Sequence, residues 1–162
     1  MPNIDSTTIE AMLSACSVYK GYCFPMIGLH PTSVNANYEK ELEIVARELK
    51  FSKEYVAIGE IGMDLYWDKT YLKEQQIVLD KQVNWALEYD LPIVIHCRDA
   101  FDYIYKVLEP YKKTPLRGIF HSFTGTAEEA TRVLEFPISS LELMVWLLLR
   151  SPTFRKFWQE YH

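Results

Sequence analysis

Short apolar runs that end in a histidine or a carboxylate, each followed by an amphipathic helical stretch, recur along this chain. This alternation restricts the fold more than any other feature of the sequence. The runs occupy residues 25–29, 55–59, 91–95 and 116–120. They are continuous rather than alternating, as strands are when helices cover both faces of a parallel sheet. After the first run, Tyr38, Leu42, Val45, Ala46 and Leu49 fall on one helix face. After the second, Leu72, Leu79, Val83, Ala86 and Leu87 do the same, and after the third Ile104, Val107 and Leu108. After the fourth, Thr126 and Glu129 form a capping box that opens a helix through Leu134. Ahead of them all, Thr7 and Glu10 predict the start of a helix containing Ile9, Met12 and Leu13. Repeated βα units mean an α/β protein, either an open doubly wound sheet or a (β/α)8 barrel. The chain contains no G-x-G-x-x-G and no Walker A loop, which removes support for the nucleotide-binding versions. A complete barrel takes about 250 residues and eight strands. With 162 residues and about four to five βα units, the expectation is a small open sheet or a partial (β/α)8 TIM barrel.

Charge narrows the range of partners. Lys plus Arg is 17 against 22 for Asp plus Glu, a formal net charge of -5. Passive coating of nucleic acid is excluded, whereas a nucleic acid held through bound metal ions is not. The N-terminus has neither the basic nor the apolar region of a signal peptide. The longest apolar run, residues 141–149, is interrupted by Glu142 and is too short to span a bilayer. No membrane partner is expected. Cys16, Cys23 and Cys97 are odd in number and lack paired spacing, so reduced thiols and a cytoplasmic setting are expected. Cys97 reads as a small buried residue. Residues 138–162 differ in character, with no glycine and two of the four tryptophans, and read as a terminal helix packed on the core.

The chemistry lies at the ends of the runs. His30, His96 and His121 each follow an apolar run, and the remaining run ends in Glu60. Strand ends of parallel α/β sheets converge on one face, where barrel enzymes place their active sites. A strand-end histidine taken singly is more often structural than catalytic, but four equivalent positions in succession point to a site. Neutral imidazoles are good ligands for zinc, manganese and similar ions. A carboxylate has two oxygens and bridges two such ions, which makes Glu60 the natural bridge. Asp64 and Asp99 stand close enough to orient ligands. Arg98 offers a guanidinium fork for a phosphate oxygen, or else an ion pair with Asp102.

Four segments carry a family resemblance: Gly28-Leu29-His30-Pro31, Ile58-Gly59-Glu60-Ile61-Gly62-Met63-Asp64, Ile95-His96-Cys97-Arg98-Asp99-Ala100 and His121-Ser122-Phe123-Thr124-Gly125. In order and spacing they resemble the TatD family, with Gln75-Gln76 and Leu91-Pro92 in support. The resemblance covers about residues 1–137. It implies a metal-dependent hydrolase of the amidohydrolase-like TIM-barrel type, described as a deoxyribonuclease that uses two divalent cations (Mg, Mn or Zn) on DNA. It further implies Glu60, His96 and His121 as metal ligands, with Glu60 the catalytic candidate, and it sets His30 near the substrate, beside the Arg98 that the residue chemistry already assigns to a phosphate.

The chain also departs from the family. It has no His-x-His pair to bind a first metal and no late Thr-Asp-x-Pro segment to supply a metal-binding general base. The expectation is therefore a fragment with incomplete activity, reaching residue 137, followed by a divergent tail at 138–162. Codons can be chosen for residues 138–159 so that the frame displaced by two bases reads FKLGINGVVTFKKSNLPEVLA, which resembles the seventh strand of the family and its following loop. A frameshift is the alternative to the terminal helix as a reading of that tail. Partial barrels expose core and strand edges, so self-association is expected. The alternatives are a hydrolase of a small ester or amide, and a non-catalytic product of a damaged gene.

Overall fold

The computed structural model describes residues 1–136 and 140–143. Five parallel strands, β1 (Met26–Ile27), β2 (Ala57–Asp64), β3 (Ile93–Arg98), β4 (Gly118–Phe123) and β5 (Ser140–Leu143), form one sheet in the order β1-β2-β3-β4-β5. The helices are α1 (Ile9–Val18), α2 (Tyr38–Phe51), α3 (Leu72–Glu88), α4 (Phe101–Leu108) and α5 (Ala127–Val133). A doubly wound sheet reverses its strand order at a switch point. Here spatial order follows chain order throughout, as in consecutive units of a (β/α)8 barrel. β2 is buried along nearly its whole length, as the continuous apolar run requires. One large cluster holds the core, with Ile58, Ile61, Leu79, Val83, Ile93, Ile95 and Phe120 among its members.

The helical faces read from the sequence fall on α2, α3, α4 and α5, and Thr126 with Glu129 closes the capping box of α5. Two local expectations are corrected. The first helical turn is capped by Asp5, which accepts from the Thr7 backbone, and not by Thr7. The preceding segment is held extended beside β1, with the Ile4 carbonyl accepting from the His30 N–H, so Asp5 is where the chain first turns. The terminal helix expected from residue 138 is not formed at residues 140–143. These residues pair with β4, which satisfies backbone groups that a bare edge of β4 would leave open. Residues 137–139 and 144–162, which include the expected boundary at 137, lie outside the described residues.

Two buried glutamines of α3 fasten strand ends to the helix layer. The Gln82 amide accepts from the Leu29 N–H at 2.7 Å and donates to the Leu29 carbonyl at 3.3 Å. Gln75 does the same for Asp64, accepting from its N–H at 2.9 Å and donating to its carbonyl at 3.2 Å. Leu29 and Gln82 are fully buried, so Gln82→Leu leaves a backbone donor and acceptor unpaired in the core. It is expected to destabilise the fold by about 3 kcal/mol, read as a lower urea midpoint at unchanged slope.

Candidate metal centre

β2 delivers its carboxylate through an irregularity. Gly59 pairs with Val94 and Ile61 with Ile95, so Glu60 is the extra residue of a bulge. A bulge re-aims the side chain it inserts. The Glu60 carboxylate, with 18 % exposure, stands between two imidazoles: Oε2 is 3.7 Å from His30 Nε2 and Oε1 is 3.8 Å from His121 Nε2. Both separations are too long for a hydrogen bond. They match two ligands sharing an ion held about 2.1 Å from each, which stand about 3–4 Å apart.

β3 supplies the next candidate ligand. His96 Nε2 lies 2.9 Å from Asp64 Oδ2, and the His96 and His30 rings stand 4.6 Å apart between centroids. Asp64 is buried, and its other oxygen accepts from the Tyr66 N–H at 3.1 Å, so the carboxylate that steers His96 is itself fixed. A carboxylate behind a ligand imidazole sets ring orientation and raises basicity. His30 enters from the turn after β1. Its Nδ1 is 2.7 Å from the Thr32 hydroxyl and 3.2 Å from the Thr32 nitrogen, which leaves Nε2 facing Glu60. Burial, and then the neighbouring His96, push the His30 ring down to about 4, partly offset by Asp64. The ring is therefore neutral at physiological pH and keeps a lone pair for a cation.

One ligand atom from each of His30, Glu60 and His96 lies within 4.8 Å of the others, and this donor set of two imidazoles and one carboxylate fits a transition-type divalent ion. His121, expected with Glu60 and His96, approaches Glu60 but stands apart from that group of three. His30, expected near substrate, stands inside it. Arg98 is exposed at the end of β3, and its guanidinium lies 3.7 Å from the Tyr66 ring centroid. The ion pair weighed for Arg98 does not form, because Asp102 is held by Arg132 at 2.9 Å. Burial pushes the Cys97 thiol well above its ordinary range, so it is no nucleophile. All three cysteines are free thiols.

The model of the family of TatD related DNases matches residues 1–146. The chain belongs to the TatD family. The 3'-5' ssDNA/RNA exonuclease TatD of Pantoea sp. (strain At-9b) is 34% identical over 121 residues, covering 75% of this chain and 46% of that protein. The uncharacterized metal-dependent hydrolase YabD of Bacillus subtilis (strain 168) is 34% identical over 131 residues, covering 81% and 51%. The crystal structure of YJJV, a TatD homolog from Escherichia coli K12, matches with a TM-score of 0.77 at 27% identity, covering 86% of this chain and 54% of that one. The chain thus spans about half the length of the relatives it matches, and its five consecutive βα-type strands are part of a (β/α)8 barrel. The TatD match runs past residue 137 and takes in β5.

Within this TatD half-barrel, sequence reasoning missed the role of the α3 glutamines. Gln82 fixes the backbone directly before His30, and Gln75 fixes that of Asp64. A signal was present: Gln75 and Gln82 are seven residues apart, two helical turns, on the buried face that also carries Val78, Leu79, Val83 and Ala86.

Proposed function

We propose that the chain carries one side of the metal centre of a phosphodiester hydrolase acting on single-stranded DNA or RNA, as the name of the Pantoea relative describes for that protein. The cluster of His30, Glu60 and His96 carries the reading. Glu60 and His96, joined by His121 across Glu60, are the proposed ligands, and the position of His30 supports adding it to them. Divalent ions, two in a full site, supply Lewis acidity toward a phosphate oxygen and the attacking water. Asp64 holds the His96 ring in place, and Arg98 directs its guanidinium donors at a neighbouring phosphate. Free thiols suit a cytoplasmic setting, and among the described residues no helix is long and apolar enough to cross a membrane.

This chain contains neither the His-x-His pair nor the late Thr-Asp-x-Pro segment, so by itself it is expected to bind without efficient turnover. Anisotropy of a 3'-labelled single-stranded oligonucleotide, with and without Mn²⁺, tests the reading. The expected result is Mn²⁺-dependent retention of the oligonucleotide that Glu60→Gln abolishes, with cleavage at background. Metal-dependent hydrolysis of a small ester or amide without affinity for the oligonucleotide would overturn it.

A further inference from the structure

Beside the proposed metal ligands, the segment after β2 carries an exposed aromatic pair. Tyr66 and Trp67 follow Asp64 directly after β2, and they are 49% and 79% exposed. Their rings meet edge to face at 4.6 Å between centroids. The Arg98 guanidinium carbon lies 3.7 Å from the Tyr66 centroid and 5.8 Å from that of Trp67. Among the described residues, Arg98 has no carboxylate partner, and none of its side-chain N–H donors is used in a hydrogen bond. Arg98 is two residues beyond His96 on the same strand, so the two side chains leave β3 on one face.

Proteins that bind single strands combine a cation that tracks the backbone with an open aromatic face on which a base stacks. Both are present here, beside a cluster suited to the metal that a phosphate needs. We propose that Tyr66, Trp67 and Arg98 form a stacking platform for one unpaired base of a single-stranded nucleic acid. The base lies on Trp67, and the adjoining phosphate is shared between Arg98 and the metal centre. This deepens the reading above and rests on it. The charges give the platform a direction. Trp67 also lines a cavity of about 140 Å³ with Pro31, Thr32, Asp64 and Asp68. Its two carboxylates repel phosphate and leave that side to the base, while the phosphate goes to Arg98. The turn holding Pro31 and Thr32 begins at His30, so the cavity adjoins the proposed ligand directly. A base paired in a duplex has its faces covered by its neighbours and cannot lie on Trp67.

The test uses the full chain with Mn²⁺, a labelled oligothymidylate, and an abasic strand of the same length that keeps the phosphates. Trp67→Ala is expected to weaken oligothymidylate binding about 5- to 150-fold, the range for loss of one stacked base. Trp67→Phe is expected to restore most of it. The abasic strand is expected to bind wild type and Trp67→Ala alike, and the Mn²⁺ affinity of both proteins is expected to be equal, since Trp67 is on the surface. Equal oligothymidylate affinity for wild type and Trp67→Ala would overturn the platform and leave the proposed function standing. If wild type binds Mn²⁺ but neither strand, the proposed function falls and the platform with it.

Discussion

Glu60→Gln is expected to lower the affinity of the chain for Mn²⁺ or Zn²⁺ about 100-fold or more in a calorimetric titration. Glu60 supplies the one anionic donor in the group of three, and its two oxygens face His30 and His121. The amide keeps the shape and removes the charge, and it offers one weakly donating oxygen where a carboxylate offers two. Even a substitution that only disturbs the orientation of a ligand costs about 10- to 100-fold in metal affinity, and replacement of the ligand itself exceeds that. The carboxylate makes no hydrogen bond or salt bridge to a Lys or Arg among the described residues, so the fold does not depend on its charge. Unchanged thermal stability with lost metal binding is the expected pair of results. An unchanged titration would remove Glu60 from the site.

Gly62→Ala is expected to be the most destabilising single change along β2, costing about 4 kcal/mol or preventing folding outright. Gly62 has φ of +139, a region that L side chains rarely adopt, and a Cβ there would stand 1.9 Å from the His96 carbonyl oxygen. The neighbour is backbone in the centre of the sheet, with no rotamer through which to withdraw. Gly62 pairs with His96 in the register, so any relaxation also moves a proposed metal ligand. Gly21→Ala is the control. Gly21 also has positive φ, +84, but nothing lies within 4 Å of its Cβ position. That change is expected to cost only about 1 kcal/mol, and urea unfolding of the two variants separates strain from collision.

The contrast between these glycines shows what the sequence carries and what it does not. The alternation of apolar run and helical face made the βα units legible, because burial on both faces of a strand and on one face of a helix leaves a period in the residues themselves. It left the choice between an open sheet and a barrel undecided, because strand order is not written in any period. That His30, Glu60, His96 and His121 follow the apolar runs was legible too, but β2, β3 and β4 continue past the last three of them, to Asp64, Arg98 and Phe123. Which of the four meet was not legible. Glu60 turns toward His30 through a bulge after Gly59, and a one-residue change in register leaves no mark on hydrophobicity. The buried amides of Gln75 and Gln82 were hidden for a related reason. A polar residue on an apolar helix face reads as an interruption until its backbone partners, far away in sequence, are known. The chain first turns at a 3-10 turn over Ser6–Thr8 capped by Asp5, ahead of α1 at Ile9, because pairing beside β1 decides where the chain is free to turn.

Anomalous diffraction from crystals of this chain soaked in Mn²⁺ tests the account most directly, because it locates an ion without assuming a function. The account predicts a peak within coordination distance of Glu60 and of the His30 and His96 rings, absent from crystals of Glu60→Gln. A peak elsewhere, or none at saturating Mn²⁺, would contradict the metal centre from which the proposed function is built.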